Sequence, residues 1–197
     1  GACVDIALGI ALAAVLLRRR ELPGARPTVA LASVAIVALL AALFAFQLDV
    51  TRMASGVFRE GRARIAVSSK VVFHADGRTA SVDLTTFRDG TLTIATNGKP
   101  DAAINMARAQ GNRAVPVGAD EITMTFLGAL PLAYAPGARR AAIIGHGSGL
   151  TTHVLLGSPV IEQVDVIEIE AEMIRAARSF GPRVARAYND PRSRTFV

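Results

Sequence analysis

The 197-residue chain has no tryptophan, a single cysteine, three dispersed histidines and only 19% charged residues. A lone cysteine excludes a disulfide-stapled scaffold. The scattered histidines lack the spacing of metal ligands, so we expect no bound metal. Aromatic residues make up 5% of the chain, and no aromatic-studded basic stripe accompanies its net charge of +6. We therefore expect no nucleic-acid partner.

Long apolar runs occupy the first quarter of the chain. Gly1–Leu17 is interrupted only by Asp5, and Thr28–Leu48 contains 21 residues without a charge. A helix of that length spans about 31 Å, close to the hydrocarbon thickness of a bilayer. We predict a transmembrane helical hairpin over residues 1–48 and a multi-pass protein of the cell membrane, with the lipid bilayer as a partner. A buried core helix is the alternative, and the basic residues flanking the second run leave the orientation open.

A change of period marks the next segment. After a basic juxtamembrane linker at 49–64, apolar and polar residues alternate in the manner of strands rich in Val, Ile and Thr. Asp76-Gly77 and Asp89-Gly90 supply the turn residues of hairpins. We predict a small antiparallel β-domain with its loop over residues 65–118, which the chain leaves at Lys99-Pro100-Asp101.

Alternating strands and helices follow in residues 119–197. Asp120 is a candidate cap for a helix over Glu121–Tyr134, which Pro131 is expected to end or kink. Beyond it, a strand, a glycine loop, a helix, a second strand and a second helix succeed one another. This order predicts a parallel α/β sheet, and we interpret the segment as the N-terminal part of a Rossmann-like nucleotide-binding core.

The glycine loop and the end of the next strand contain the candidate ligand-binding residues. Gly145, Gly147 and Gly149 allow a ligand to approach the backbone closely, and Glu168 ends the next strand, where a carboxylate accepts hydrogen bonds from ribose hydroxyls. Leu150 occupies the position where a dinucleotide fingerprint, GxGxxG, has its third glycine. The shorter GxGxG pattern favours an S-adenosyl ligand, which has no pyrophosphate. A βα turn without a ligand is the alternative.

Several stretches together resemble a known family. IIGHGSGLTTHVLLGSP, VDVIEIEAEMIRAARSF and YNDPRSR, preceded by NGKPDA and ADEITMTFLGALPLA, are similar in order to the spermidine synthase (polyamine aminopropyltransferase) superfamily. More narrowly, the chain resembles bacterial proteins that fuse a membrane region to such a domain, here truncated at both ends. The resemblance implies an α/β fold: an incomplete Rossmann-like methyltransferase core preceded by a small antiparallel β-domain and the transmembrane hairpin.

The same resemblance implies the site. S-adenosylmethionine or its decarboxylated form is expected as co-substrate, bound by Gly145, Gly147, Gly149 and Glu168. Asp120 and Glu121 are expected at the mouth of the site, where they bind a small-molecule amine, although a helix N-terminal cap explains both equally well. The family's catalytic aspartate follows a later strand, so the resemblance names no catalytic residue before Val197, and we expect the isolated chain to have no turnover.

The leading functional hypothesis is a membrane-anchored transferase of polyamine biosynthesis that transfers an aminopropyl group to an amine. Its nucleotide-binding domain is expected on the cytoplasmic side, and two copies are expected to form a homodimer. Two alternatives remain open: an S-adenosylmethionine-dependent methyltransferase, and a non-catalytic ligand-binding domain attached to a membrane transporter.

Overall fold

A computed structural model describes residues 7–11, 14–15, 33–41, 49–57, 61–108, 111–112 and 114–197. The chain divides into two compact units, Gly1–Asp49 and Val50–Val197. In the first unit the described residues before Asp49 are helical. The rest of the predicted transmembrane hairpin lies outside the described residues.

The helices that the structure describes contradict the predicted location in a membrane. Within the described ranges, no helix has both the length and the apolar character needed to cross a membrane. The expectation of a multi-pass membrane protein is therefore wrong on this finding.

The second unit begins with a short helix, α1 (Val50–Met53), followed by a four-stranded antiparallel sheet in the order β1-β2-β3-β4. Its strands are β1 (Ser69–Asp76), β2 (Ser81–Phe87), β3 (Thr91–Thr96) and β4 (Lys99–Asn105). The expected antiparallel sheet is confirmed. The two-residue turn between β3 and β4 places Asn97 and Gly98 at φ values of 49° and 74°, which suits Asn-Gly.

The fourth strand is a correction to the sequence prediction, which had the chain leave the sheet at Pro100. Pro100 instead pairs with Ala95 beside an irregularity in the register of β3 and β4. The strand lies at the edge of the sheet. An edge position tolerates proline because one side of the strand needs no backbone donor.

Helix α2 (Ala119–Tyr134) leads from this sheet to the α/β part. Its N-cap is Gly118, so Asp120 lies in the first turn instead of capping the helix. Pro131 lies inside the last turn, and the helix continues to Tyr134, where the N–H of Ala135 bonds to the carbonyl of Pro131. Pro131 costs the helix one hydrogen bond, the one that its missing N–H would have donated to the carbonyl of Leu127, and the helix ends within a turn of it.

The α/β part contains a three-stranded parallel sheet in the order β5-β6-β7. Its elements are β5 (Arg140–Ile144), α3 (Leu150–Leu155), β6 (Gln163–Ile167), α4 (Ala171–Ala177), a 3₁₀ helix (Arg178–Val184), α5 (Ala185–Asn189) and β7 (Ser193–Phe196). One face, with Val164 and Val166, packs against Leu155 and Leu156. On the other, Ile144 is 89% exposed. The predicted parallel α/β arrangement is confirmed.

One hydrophobic core contains residues of the antiparallel sheet and of the helices in the α/β part. Val82, Leu84, Ile94 and Ile104 of the antiparallel sheet are fully buried in a cluster with residues of the helices. The helical members of this cluster are Leu150, Met173, Ala176, Ala177, Phe180 and Val184. Burial of this apolar surface holds the antiparallel sheet against α4 and fixes the position of its turns beside the strand ends.

Candidate functional site

The glycine loop, residues 145–149, joins the end of β5 to α3. Gly145 and Gly147 have φ values of +89° and +53°, which L-residues with a side chain rarely adopt. A Cβ at either glycine would meet no other atom within 4 Å, so open space lies next to this backbone. The N–H of Gly145 bonds to the carbonyl of Ile167 at 2.8 Å, which holds the loop beside the end of β6.

The Glu168 side chain supports the glycine loop by accepting a hydrogen bond from its backbone. It is 8% exposed, and its Oε2 accepts the N–H of His146 at 2.7 Å. Its Oε1 accepts the N–H groups of Ile169 at 2.8 Å and Glu170 at 3.0 Å. Because a carboxylate offers about four acceptor positions, one remains for a ligand. The structure thus places Glu168 beside the glycine loop and gives most of its capacity to backbone amides.

His146 turns away from the strands towards the last helices. Its Nε2 lies 2.8 Å from the Tyr188 hydroxyl, which itself donates to the carbonyl of Ile174 at 3.0 Å. The hydroxyl hydrogen is thus used, so Nε2 carries the imidazole proton. Burial lowers the pKa of His146 to about 4, and the ring is neutral at physiological pH. His146 therefore contributes no positive charge to the loop.

One groove is lined by residues of this loop, and a second is lined by Glu168 and its neighbours. The first, which we call the loop groove, has a volume of about 370 Å³. It is lined by Asp101, Met124, Leu127, Pro131, Ala141–Ser148, Leu150, Thr151 and Leu155. Asp101 supplies the one carboxylate among these residues, and none of them is lysine or arginine. Outside the lining, the Asp101 carboxylate also accepts the Thr96 hydroxyl at 2.5 Å and lies 3.4 Å from the Lys99 ammonium.

The second groove, the hairpin groove, has a volume of about 650 Å³. The turn between β1 and β2 (residues 76–79) forms one wall, and the chain after β6 (residues 167–172) forms the other, with Phe196 and Val197 beside it. Ile169 is 73% exposed there. Arg78 at the turn makes no ion pair within the described part of the chain.

The structure places the expected amine ligands Asp120 and Glu121 away from the glycine loop. Glu121 is 1% exposed; its Oε1 pairs with the Arg183 guanidinium, and its Oε2 accepts the N–H of Asn105 at 3.5 Å. Asp120 is exposed and lines a different depression, together with Asp89 and Asn105. Glu121 thus joins α2 to the 3₁₀ helix and to β4, and neither residue borders the loop groove.

Residues that sequence reasoning missed come from the antiparallel sheet. Asp101 enters the loop groove because β4, which was not predicted, carries it there. The turn at 76–79 enters the hairpin groove because the shared core places it beside α4. The Asp-Gly signal at Asp76 indicated a turn, but no signal in the sequence indicated that this turn lies beside α4.

In the described ranges no group of three or more His, Cys, Asp or Glu is placed to hold a metal ion.

A glycine loop at the carboxyl end of a parallel strand, with a carboxylate after the next strand, is an arrangement typical of Rossmann-like folds. Comparison with known proteins narrows the class. Residues 121–197 match the family model of the spermine/spermidine synthase domain. Two crystal structures of spermidine synthase, one from Thermotoga maritima and one with the transition state analogue AdoDATO, each have a TM-score of 0.53 and 19% identity. Both alignments cover 65% of this chain, and they establish the fold.

Curated relatives match about a third of this chain. Putrescine N-methyltransferase 2 of Nicotiana tabacum is 40% identical over 63 residues, which are 32% of this chain and 18% of the relative. Spermidine synthase 2 of Hyoscyamus niger is 34% identical over 68 residues, 34% of this chain and 22% of the relative. The chain thus spans about a fifth of these relatives and about two fifths of the solved structures. The expected likeness to the spermidine synthase superfamily is confirmed.

Proposed function

We propose that residues 50–197 form part of a spermidine-synthase-like transferase that binds an S-adenosyl ligand and acts on a small amine. The observation that carries this proposal is the glycine loop, fixed in an open conformation by the Glu168 carboxylate. The nucleoside part of the ligand lies in the hairpin groove, where Glu168 offers its remaining acceptor position to a ribose hydroxyl. The sulfonium end points towards the loop groove.

The charges of the loop groove favour aminopropyl transfer. Decarboxylated S-adenosylmethionine carries an ammonium group and no carboxylate. The described lining of this groove has one carboxylate, Asp101, and no lysine or arginine. Asp101 therefore suits an ammonium group, whereas the carboxylate of S-adenosylmethionine would find no cationic side chain there.

The reaction joins the amine to the aminopropyl carbon next to the sulfonium. The amine first loses its ammonium proton to solvent, and its free electron pair then forms the new N–C bond. The C–S bond breaks with its electron pair on sulfur, and methylthioadenosine leaves. A second proton is lost from the alkylated nitrogen. Because the sulfonium is already a good leaving group, holding the two reactants together supplies much of the acceleration.

Methyl transfer to the same kind of amine is the second candidate. The 40% identity to putrescine N-methyltransferase 2 over 63 residues favours it. Methyl transfer breaks the bond between sulfur and the methyl carbon and leaves S-adenosylhomocysteine. The two reactions therefore differ in both the co-substrate and the thioether that is released.

The test uses the full-length protein with putrescine and, separately, each of the two S-adenosyl compounds. We expect methylthioadenosine from the decarboxylated form; S-adenosylhomocysteine from the intact form would instead establish methyl transfer. Asp101→Asn is expected to raise the KM for decarboxylated S-adenosylmethionine at least tenfold, whereas Asp165→Asn on β6 is the matched control. A protein that binds either ligand but releases no thioether would refute a transferase and support a binding domain.

A further inference from the structure

The carboxylate of Glu170 ties the start of α4 to the turn between β1 and β2. It is buried, with 3% of the residue exposed. Its Oε2 accepts the N–H of Thr79 at 2.8 Å, the Thr79 hydroxyl at 2.9 Å and the N–H of Ala80 at 3.2 Å. Its Oε1 accepts the N–H of Glu172 at 3.2 Å, which caps the helix. One side chain therefore joins two segments that are about 90 residues apart in sequence.

The opposite side of this contact requires a glycine. A Cβ placed on Gly77 would overlap the carboxyl group of Glu170. The requirement is spatial, because Gly77 is not among the described residues with positive φ. The carboxylate thus packs directly on the backbone of the turn. We call this arrangement, formed by Gly77, Thr79, Ala80 and Glu170, the turn lock.

The turn lock fixes one wall of the hairpin groove. Residues 76–79 form that wall, and Glu168 and Ile169 on the opposite wall immediately precede Glu170 in the chain. A shift of the turn would therefore change the width of the groove next to the exposed Ile169 side chain. It would also move Arg78, which lines the groove from the turn.

We propose that Glu170 is a positioning residue that holds the β1–β2 turn as a wall of the nucleoside site and thereby sets the affinity for the adenosyl part of the ligand. This inference rests on the proposed function. Glu170 acts through the turn, since its own oxygens are occupied by amides and a hydroxyl. If the turn holds its position only a tenth of the time without Glu170, the measured dissociation constant rises tenfold.

A double-mutant cycle in the full-length protein tests the turn lock. Gly77→Ala alone should lower the thermal midpoint, because the new methyl group overlaps the carboxylate. Glu170→Ala alone removes the hydrogen bonds. In the double variant the methyl group finds the space vacated by the carboxylate, so Gly77→Ala should be far less disruptive there than in the parent. Equal effects of Gly77→Ala in both backgrounds would overturn the packing argument.

Affinity separates positioning from simple stabilisation. Calorimetric titration uses two probes, decarboxylated S-adenosylmethionine and adenosine, well below the thermal midpoint of every variant. We expect Glu170→Ala to weaken both probes at least tenfold and the double variant to stay as weak, although its stability recovers. Glu170→Gln, whose amide oxygen still accepts from Thr79, should stay within about threefold of the parent. The exposed, distant Glu162→Ala is the control and should change neither probe.

The outcomes distinguish the two proposals. If the parent binds neither probe, the proposed function is refuted, and the positioning role falls with it. If the parent binds both probes and Glu170→Ala binds them equally well, the proposed function stands and the turn lock has no positioning role. If Glu170→Ala weakens the binding of decarboxylated S-adenosylmethionine but not that of adenosine, the turn does not hold the nucleoside, which also overturns the inference.

Discussion

Replacing Glu168 with alanine is expected to unfold or loosen the glycine loop before any ligand is added. In the parent its carboxylate accepts three backbone N–H groups, those of His146, Ile169 and Glu170. Alanine supplies no acceptor at this buried position. The substitution therefore removes the support of the loop as well as a ligand contact, and the two effects must be measured separately.

The magnitude follows from the number of donors left without a partner. A buried donor that loses its acceptor costs about 1–3 kcal/mol. With three donors, and some relief from water that enters the space, we expect the free energy of unfolding to fall by at least about 3 kcal/mol. Natural domains have about 5–15 kcal/mol in total, so this is a large fraction. Glu168→Gln keeps one carbonyl oxygen and should lose roughly half as much.

Urea denaturation followed by circular dichroism measures this loss in the full-length protein. Glu162→Ala is the matched control, because Glu162 is exposed and pairs only with Arg139 at the surface, and it should leave the midpoint unchanged. If Glu168→Ala has the stability of the parent, the carboxylate does not support the loop, and this reasoning is refuted. If Glu168→Gln remains folded yet binds S-adenosylmethionine at least tenfold more weakly, its ligand contact is supported as well.

Three further results are expected. The hydrogen bond from the Thr79 N–H lowers the pKa of Glu170 to about 2. The stability that this carboxylate gives the folded protein is therefore present above pH 4.5 and is lost as the pH falls towards 2. Glu170→Gln should flatten this part of a plot of unfolding free energy against pH. Burial lowers the pKa of His146 to about 4. The free energy of unfolding should therefore fall by roughly 3 kcal/mol as the pH is lowered from 6.5 to 4. The same fall in His146→Gln would contradict this expectation. Arg192 donates hydrogen bonds to the carbonyls of Leu156, Ser158 and Ile161. Arg192→Met should therefore lower the free energy of unfolding, measured by urea denaturation, by about 2 kcal/mol. Arg194→Met is the control and should leave it unchanged.

The sequence predicted those elements whose signals are local. Alternating Val, Ile and Thr residues between Asp-Gly pairs placed β1, β2 and β3, since both the strand pattern and the turn chemistry lie within a few residues. The fourth strand was missed because Pro100 and its charged neighbours are typical of a loop. Its pairing depends on an edge position in the sheet, which only the tertiary structure determines.

The candidate site divides in the same way. Glu168 was predicted as a site residue because it follows a buried strand and lies 19 residues after Gly149 in sequence. The partners of Glu121 and Glu170 were not predicted, since Arg183 and Thr79 are about 60 and 90 residues away. The only signal that the sequence carries for Glu170 is that of a carboxylate at a helix start, which accounts for its contact with Glu172 and not for its contact with the turn.

Three buried glutamates explain why the grooves have a defined shape. Burial of a carboxylate is unfavourable unless hydrogen bonds compensate for lost water, and Glu121, Glu168 and Glu170 each accept backbone N–H groups. Backbone donors held by strands and turns lose little further freedom, so these contacts fix the chain at the places where a ligand would bind. A ligand then meets a surface that needs little ordering, which favours affinity. Asp101 differs from all three: its carboxylate accepts the Thr96 hydroxyl and pairs with the Lys99 ammonium, and its side chain, 21% exposed, lines the loop groove, where an incoming ammonium group would compete with Lys99 for it.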